Sequence, residues 1–320
     1  MSRRSLLGYV VAAGCLVWIL YDVDFKTLIS GVMHLNGWYV LSAIAFDVLS
    51  YLFQGIRWVL LLQRPKRLPV LRATQAIYAG LFLNEVLPMR IGEIARGYLV
   101  ARWLERGFAT ILPSMVVERL LDGLWLALGV SIAAIFVPLP ASLLRVRNIL
   151  GVAMALSTVF FAYVVVLRKE GMVETRRGKV AAFIHRFELK LREIGQSDFL
   201  YAACGVSALY FVSQMLSFWL VMQAYGLNLN LWTGAAVLLI IHMGTLIPNA
   251  PANVGTYQFF CTLGLTLLGV DKSVAAGFSI IVFLVLTVPL WIIGFFAVSH
   301  TGMTIGGLRR AAQTLASRET

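Results

Sequence analysis

Charged residues are scarce in this chain of 320 residues, since Asp, Glu, Lys and Arg make up only 13% of it. A soluble domain carries roughly 25%. Hydrophobic residues make up 60%, and apolar runs long enough to cross about 30 Å of hydrocarbon recur from one end to the other. The composition excludes a soluble globular protein and predicts an all-α polytopic membrane protein, with residues 1–320 forming a single membrane domain.

Cysteine and histidine are also rare, with three and four copies. Cys15, Cys204 and Cys261 each lie within an apolar run without the close partners of a metal or redox site, which favours a packing role. The four histidines are scattered along the chain. We therefore expect no metal and no cofactor.

The first residues, MSRRSLLGYVVAAGCLVWILYDVD, have the basic start and apolar run of a secretory signal. They lack a small-x-small cleavage site before Asp22 and Asp24. We interpret this segment as a retained first helix.

Six full transmembrane helices are predicted over about 5–21, 36–62, 111–137, 148–167, 199–225 and 273–299. Two further apolar regions, about 73–101 and 232–269, are interrupted by polar residues, Pro and Gly. The chain therefore divides into a first half, 1–167, and a second half, 199–299, joined by the charged segment 168–198.

Basic residues explain the net charge of +12 without a nucleic-acid partner, because they cluster in particular loops between spans. Such loops face the cytoplasm. This places both termini inside, including the tail 300–320, and predicts that each interrupted region enters and leaves on one side. The first is then a re-entrant hairpin from the cytoplasm and the second a re-entrant hairpin from outside. The basic clusters are Arg3 and Arg4, Arg64 to Arg72, Arg102 and Arg106, Arg168 to Arg192, and Arg309 to Arg318.

A short motif is shared by the two interrupted regions and indicates an inverted repeat. Pro88 precedes Gly92 by four residues, and Pro251 precedes Gly255 by four. An asparagine lies just upstream in each region. We predict that these tips form gates, with the residues Pro88, Gly92, Pro248, Asn249, Pro251, Asn253, Gly255 and Gln258.

The linking segment, 168–198, is rich in both charge signs and has apolar residues at helical spacing. Two interpretations stay open: a helix on the anionic inner membrane surface, or a solvated linker helix.

Nine ionisable residues fall at or near membrane depth in the first half. At roughly 3 kcal/mol each, leaving all of them unpaired in lipid would cost on the order of 25 kcal/mol, so they must pair or be wet. They are Asp47, Arg57, Glu85, Arg90, Glu93, Arg96, Glu118, Arg119 and Asp122.

Two hypotheses account for these charges. The network either holds a broken helix in place or lines a polar cavity for a lipid headgroup, where arginines suit phosphate and a helix N-terminus adds a favourable dipole. Arg57 is as consistent with snorkelling to the interface as with binding a ligand. The candidate substrate-binding residues are Asn84, Glu85, Arg90, Glu93, Arg96, Glu118, Arg119 and Asp122.

The second half carries no charged residue between Asp198 and Asp271. Its hairpin offers hydrogen bonds but no charge to a substrate. We expect the cytoplasm-facing half to hold an anionic headgroup and the outer half to act as a weaker gate.

At four stretches the sequence is similar to the lysylphosphatidylglycerol synthase transmembrane-region family, also called flippase-like membrane proteins. The stretches are GIRWVLLL, NEVLPMRIGEIARGYLV, VVERLLDGL and PNAPANVGTYQ. The resemblance implies a polytopic fold with two re-entrant segments and a role in moving or presenting lipids. Cargo of the phospholipid, polyprenyl phosphate or hopanoid class follows from the same likeness, as do the cytoplasmic membrane and a lipid-synthesis enzyme as partner.

The chain departs from that family at two points. Members commonly have Gly near Asn253 and Glu where Gln258 stands, so the outer hairpin lacks a titratable carboxylate of its own. Members that make aminoacylated lipids also carry a large cytosolic catalytic domain, which these residues do not provide.

Three functions remain open from the sequence. The first is a lipid translocator that passes a polar head between the hairpins. The second is an intramembrane lipid-modifying enzyme with Glu93 or Glu118 as general base, although no nucleophile motif, metal ligands or nucleotide loop is found. The third is a non-catalytic partner of a lipid-synthesis enzyme.

Overall fold

A computed structural model describes residues 35–62, 68–87, 91–137, 179–245 and 251–301, with single residues between 14 and 33 and between 144 and 163. Within the five continuous ranges the chain forms nine α-helices, one 3-10 turn and no β-strand. The turn is Pro251–Asn253. The helices are α1 Gly37–Leu62, α2 Val70–Val86, α3 Ile91–Trp103, α4 Phe108–Phe136, α5 Lys179–Gly195, α6 Asp198–Ala224, α7 Leu231–Gly244, α8 Thr256–Leu267 and α9 Lys272–Ser299.

Four of these helices, α1, α4, α6 and α9, are long and apolar enough to cross a membrane. They confirm an all-α polytopic membrane protein and coincide with the spans predicted over 36–62, 111–137, 199–225 and 273–299. The other two predicted spans, 5–21 and 148–167, and the tail beyond 301 lie outside the continuously described residues.

Large apolar side chains point outward along these helices. Trp38, Ile135 and Phe295 are 80%, 77% and 58% exposed. In water such a surface would be costly, but in a bilayer it contacts acyl chains.

Four shorter helices form the two interrupted regions. They have 17, 13, 14 and 12 residues, so each is about 18 to 26 Å long, less than the hydrocarbon core. The helices α2 and α3 pack on each other, as do α7 and α8. Each pair is a helical hairpin, while the side from which each enters a bilayer stays a prediction.

The two halves have the same order of elements and matching contacts. Gly92 and Gly255 occupy equivalent positions in the two halves. When the first half is shifted along the sequence by the distance between these two glycines, the starts of its helices fall within about two residues of the starts of the helices in the second half. The helices α1, α2, α3 and α4 then correspond to α6, α7, α8 and α9. The contact of α2 with α9 has its counterpart in that of α7 with α4, and α1 packs along α6, its own counterpart. These contacts indicate an approximate two-fold relation between the halves.

Each half has its own apolar core. In the first half Trp58, Ile77 and Leu99 are buried together, and in the second Phe218, Val237 and Phe278 are. The polar residues at membrane depth therefore lie beside well-packed apolar layers.

The amphipathic helix α5 packs against the bundle. Its residues Leu191 and Ile194 are buried against Leu61, Leu121 and Ala203. The apolar side of the last turns of α5 is therefore covered by the other helices. Neither sequence interpretation of segment 168–198 included this packing. The side chains of the helix's first turns lie outside the described ones.

Candidate functional site

The first hairpin is closed by an amide cap and a glycine contact. Asn84, near the end of α2, accepts a hydrogen bond from the Gly92 N–H at the start of α3, with 2.8 Å between Oδ1 and N. A Cβ on Gly92 would collide with the Gly80 carbonyl oxygen. Glycine is therefore needed where α3 approaches α2 most closely.

Glu118 of α4 is the centre of an ion network in this half. Its carboxylate accepts hydrogen bonds from Arg57 Nη2 at 3.0 Å, Arg96 Nη1 at 3.2 Å and Gln54 Nε2 at 3.0 Å. Arg57 and Glu118 side chains have no exposed surface, and that of Arg96 is 4% exposed. Four helices meet at this network. Residues from α1, α3 and α4 bind each other there, and α2 packs against α1 and α3.

The other side of the network reaches the surface. Arg119 contributes a side chain that is 51% exposed, and its guanidinium lies 3.2 Å from Asp122 and 3.4 Å from Glu93. Glu93 also binds Arg96 at 2.8 Å, and Asp122 binds Arg57 at 2.6 Å. In the described part of the chain, the network contains three arginines and three carboxylates, so its charges balance.

Aromatic rings cover the two buried arginines. The Arg96 guanidinium lies 4.8 Å from the centre of the Trp58 ring, and Arg57 lies 5.2 Å from that of Tyr210. Both distances are within the range of a cation–π contact. Trp58 is itself held by a 3.1 Å hydrogen bond from Nε1 to Ser114.

A small polar cleft opens beside the exposed side of the network. The space open to the centre of a water-sized sphere is about 10 Å³, and the polar lining residues are Gln54, Asn84, Glu93, Arg96 and Arg119. About 10 to 15 Å³ by this measure holds one water molecule, so in this conformation the cleft has room for a water and not for a larger ligand.

The second hairpin has a similar glycine and amide contact without charge, but its acceptor belongs to α8 itself. Gln258 accepts a hydrogen bond from the Gly255 N–H, with 2.7 Å between Oε1 and N. Gly255 has a φ of 83°, and Ala252 and Asn253 have φ values of 61° and 51°. Three left-handed residues therefore make the sharp turn into α8, at a conformational cost that the surrounding contacts must offset.

The sequence model of the family described as lysylphosphatidylglycerol synthase TM region matches residues 5–294. This range includes both hairpins and the whole ion network. The chain belongs to that family. It is therefore a multi-pass membrane protein of a family concerned with lipid synthesis or translocation. Neither the curated proteins nor the solved structures include a match to it.

Several candidate residues of this family member meet at the cleft and the network. Asn84, Glu93, Arg96 and Arg119 line the cleft, and Glu118 and Asp122 lie behind it. Glu85 points elsewhere, since its carboxylate accepts a 3.2 Å hydrogen bond from Trp291 of α9. Pro88, Arg90, Pro248 and Asn249 lie outside the described residues, as does the side chain of Pro251.

Three residues at the network, Arg57, Gln54 and Tyr210, were not on the list of candidate substrate-binding residues, although a ligand role was one of two interpretations of Arg57. Arg57 is fully buried at an ion pair, so it neither snorkels nor reaches the cleft. A signal was present, because Gln54 and Arg57 are three residues apart and share one face of α1. No local pattern indicated Tyr210, which approaches from 153 residues further along the chain.

Proposed function

We propose that this protein is a lipid translocator of the cytoplasmic membrane, in which a polar headgroup crosses between the two hairpins while its acyl chains stay in the bilayer. The physical reason is the high cost of moving a charged head through hydrocarbon. Fixed donors and acceptors in a cleft replace the water that the headgroup would lose.

The observation that carries the proposal is the half-exposed side chain of Arg119 beside the cleft. It has N–H donors left after its contacts with Glu93 and Asp122, because a guanidinium has five. A phosphate oxygen suits these donors. Glu93, 29% exposed, is placed to accept from an ammonium or hydroxyl group of the same ligand.

The buried side of the network serves a different role in this proposal. Arg57 and Glu118 have no exposed side-chain surface and form an ion pair at 3.0 Å. They hold α1 against α4 and orient Arg96, which in turn holds Glu93. The two sequence hypotheses, structural and functional, then apply to different parts of one network.

The size of the cleft implies that translocation requires movement. In this conformation the cleft has space for about one water molecule, so a lipid headgroup does not fit. We expect α2 and α3 to separate from α4 during transport, with the exposed Arg119–Glu93 contact broken before the buried Arg57–Glu118 contact.

Transport of a fluorescent phospholipid in vesicles that contain the purified protein tests this proposal. A membrane-impermeant quencher reports how fast the label reaches the outer leaflet. We expect Arg119→Gln and Glu93→Gln to slow this movement about tenfold or more, since each removes one charged contact to the ligand. Arg106→Gln is the matched control, because it removes the same charge from an exposed loop position.

The outcomes separate the alternatives. Equal rates in Arg119→Gln, Glu93→Gln and the control, at the same folded yield, would reject the cleft as the binding site. A chemically altered lipid, detected by mass spectrometry, would identify an enzyme instead. Inorganic phosphate and a soluble headgroup analogue can both be tested as inhibitors of lipid movement. If both inhibit at the same concentration, the site recognises the phosphate group alone.

A further inference from the structure

Asp47 is a second buried charged position, and it lies apart from the ion network. It is 6% exposed, and its carboxylate makes no ion pair with any described residue. It is the eleventh residue of α1, about 15 Å from the helix start, and so lies near the middle of a membrane-spanning helix. An ionised carboxylate at such a place needs a partner.

The network arginines are too far along the chain to be that partner. Arg57 is ten residues further on α1, about 15 Å along the helix axis. It already binds Glu118 and Asp122. The charge of Asp47 must therefore be neutralised by something else.

Tyr51 lies one turn beyond Asp47 on the same face of α1, and the two hairpins carry Tyr78 on α2 and Tyr257 on α8. Tyr51 and Tyr78 pack ring against ring at 5.0 Å. Tyr78 is only 4% exposed. The buried hydroxyls of Tyr78 and Tyr257 have no hydrogen-bond partner among the described residues. The first hairpin meets the second, since α2, which carries Tyr78, packs against the turn Pro251–Asn253.

The two-fold relation matches Asp47 with a residue at the ion network. The shift that superimposes Gly92 on Gly255 also superimposes Asp47 on Tyr210, which covers Arg57 in that network. Each of the central helices α1 and α6 therefore carries a polar side chain at this position. The second hairpin has no charge of its own, and Asp47 supplies one from the first half.

We propose that Asp47 is a reversible proton-binding site that couples proton movement to the lipid movement proposed above. The carboxylate takes a proton from water on one side to become a neutral carboxylic acid. It returns that proton to water on the other side when the hairpins move apart. No other reactant is needed, and the coupling part of this inference rests on the proposed function.

Other titratable groups near Asp47 do not replace it in this role. Glu85 of α2 is within range of Tyr51 but binds Trp291, and Cys261 of α8 lies near Tyr257. Tyr210 of α6 also faces Tyr51. On α4 the charged groups are Glu118, Arg119 and Asp122, which bind in the network. On α9 the charged residue is Lys272, in the first turn, whose Nζ lies 4.1 Å from the centre of the Trp18 ring.

Infrared spectroscopy of the purified protein tests the proton site without any transport assay, because a carboxylic acid and a carboxylate absorb at different frequencies. We expect a carboxylic acid band at neutral pH that Asp47→Asn removes and Asp47→Glu shifts. Asp271→Asn, an exposed carboxylate that caps α9, should leave the band intact. Asp47→Glu keeps the test valid should Asp47→Asn fold poorly.

Two results would overturn the proton site. One is a spectrum in which neither Asp47 variant changes the acid band between about pH 5 and pH 9. A buried carboxyl group with a raised pKa changes its protonation in this range. The other is an acid band that appears only when Na⁺ is withdrawn at constant pH, since that would identify a metal cation as the occupant.

Vesicles with an imposed proton gradient test the coupling. We expect the gradient to change the rate of labelled phospholipid movement about fivefold or more in the unaltered protein and in Asp271→Asn, but not in Asp47→Asn. If the acid band of Asp47 is present but the gradient does not change the rate of lipid movement, the coupling is wrong and the proton site is retained. An acid band with no lipid movement in any variant would instead overturn the proposed function.

Discussion

The two hairpins have the same architecture and opposite chemistry. In each, a short helix ends, a glycine N–H donates to an amide side chain, and a second short helix begins. The first carries Glu93 and Arg96 and lies against a network of ions, whereas the second is uncharged. A helical break at this depth is therefore held by glycine and an amide cap, and the charges of the first hairpin are an addition to that device.

Corresponding positions make the contrast sharper. The spacing from Gly92 to Gly255 places Thr256 at the position of Glu93, Phe259 at that of Arg96 and Ile281 at that of Glu118. Thr256 and Ile281 are both buried. At the positions where the first half has charged side chains, the second half has packed, uncharged ones.

The largest effect is expected from Glu118→Ala. This change leaves Arg57 and Arg96 buried beside a lost carboxylate, at a cost of about 3 to 5 kcal/mol in the free energy of unfolding. Ile281→Val, at the matching position, should cost only about 0.5 to 1.5 kcal/mol. Thermal unfolding of both variants in detergent measures the difference. Equal midpoints would mean that the ions add nothing beyond packing.

Next comes the glycine of the first hairpin. Gly92→Ala places a Cβ against the Gly80 carbonyl oxygen, which is backbone and cannot turn away, so the two helices must separate. We expect a loss of about 1 to 3 kcal/mol, or more where the helices cannot shift. Gly107→Ala is the control, because no atom lies within 4 Å of its added Cβ. A thermal midpoint for Gly92→Ala equal to that of the control would contradict the close helix contact.

The amide caps should give a smaller and matched pair of effects. Asn84→Ala and Gln258→Ala each remove the acceptor of one glycine N–H at the start of a helix. Loss of a helix cap typically costs about 1 kcal/mol. Hydrogen exchange at the Gly92 and Gly255 amides should accelerate in the variant whose cap is removed and stay unchanged in the other. Acceleration at both amides in either variant would show that the hairpins open together.

The smallest effect is expected at Trp291. Trp291→Phe removes the donor to Glu85 in a partly exposed contact, which should change the free energy of unfolding by less than about 0.5 kcal/mol. Lipid movement should also stay within a factor of two of the unaltered rate. A large loss of transport in Trp291→Phe would bring Glu85 back into the site and show that α9 takes part in binding.

The membrane fold could be read from the sequence because its signals are local. The long apolar runs gave α1, α4, α6 and α9 with bounds within about three residues, since a helix in lipid must satisfy its own backbone. The Pro and Gly motifs likewise indicated where each hairpin breaks. Segment 168–198 was harder, because an amphipathic face does not say whether lipid, water or protein covers it.

The site was only partly predictable, since its pairs join distant parts of the chain. Glu93 and Arg96 are three residues apart on one helix, as are Arg119 and Asp122, and residues at that spacing share a helix face, so local spacing accounts for these two ion pairs. The pairing of Arg57 with Glu118 crosses 61 residues, and no helical spacing could reveal it. The contact of α2 with the turn Pro251–Asn253 depends on the packing of the two halves, which a single sequence does not specify.

The contact between α1 and α6 has a mechanical consequence. These helices are counterparts across the two-fold relation, and α1 carries both Asp47 and Arg57 while α6 carries Tyr210. If one half tilted on the other about the contact between α1 and α6, the surroundings of Asp47 would open while those of the ion network at Arg57 closed, or the reverse. One rigid-body rotation would then be enough to expose the two centres in turn, without unfolding either hairpin.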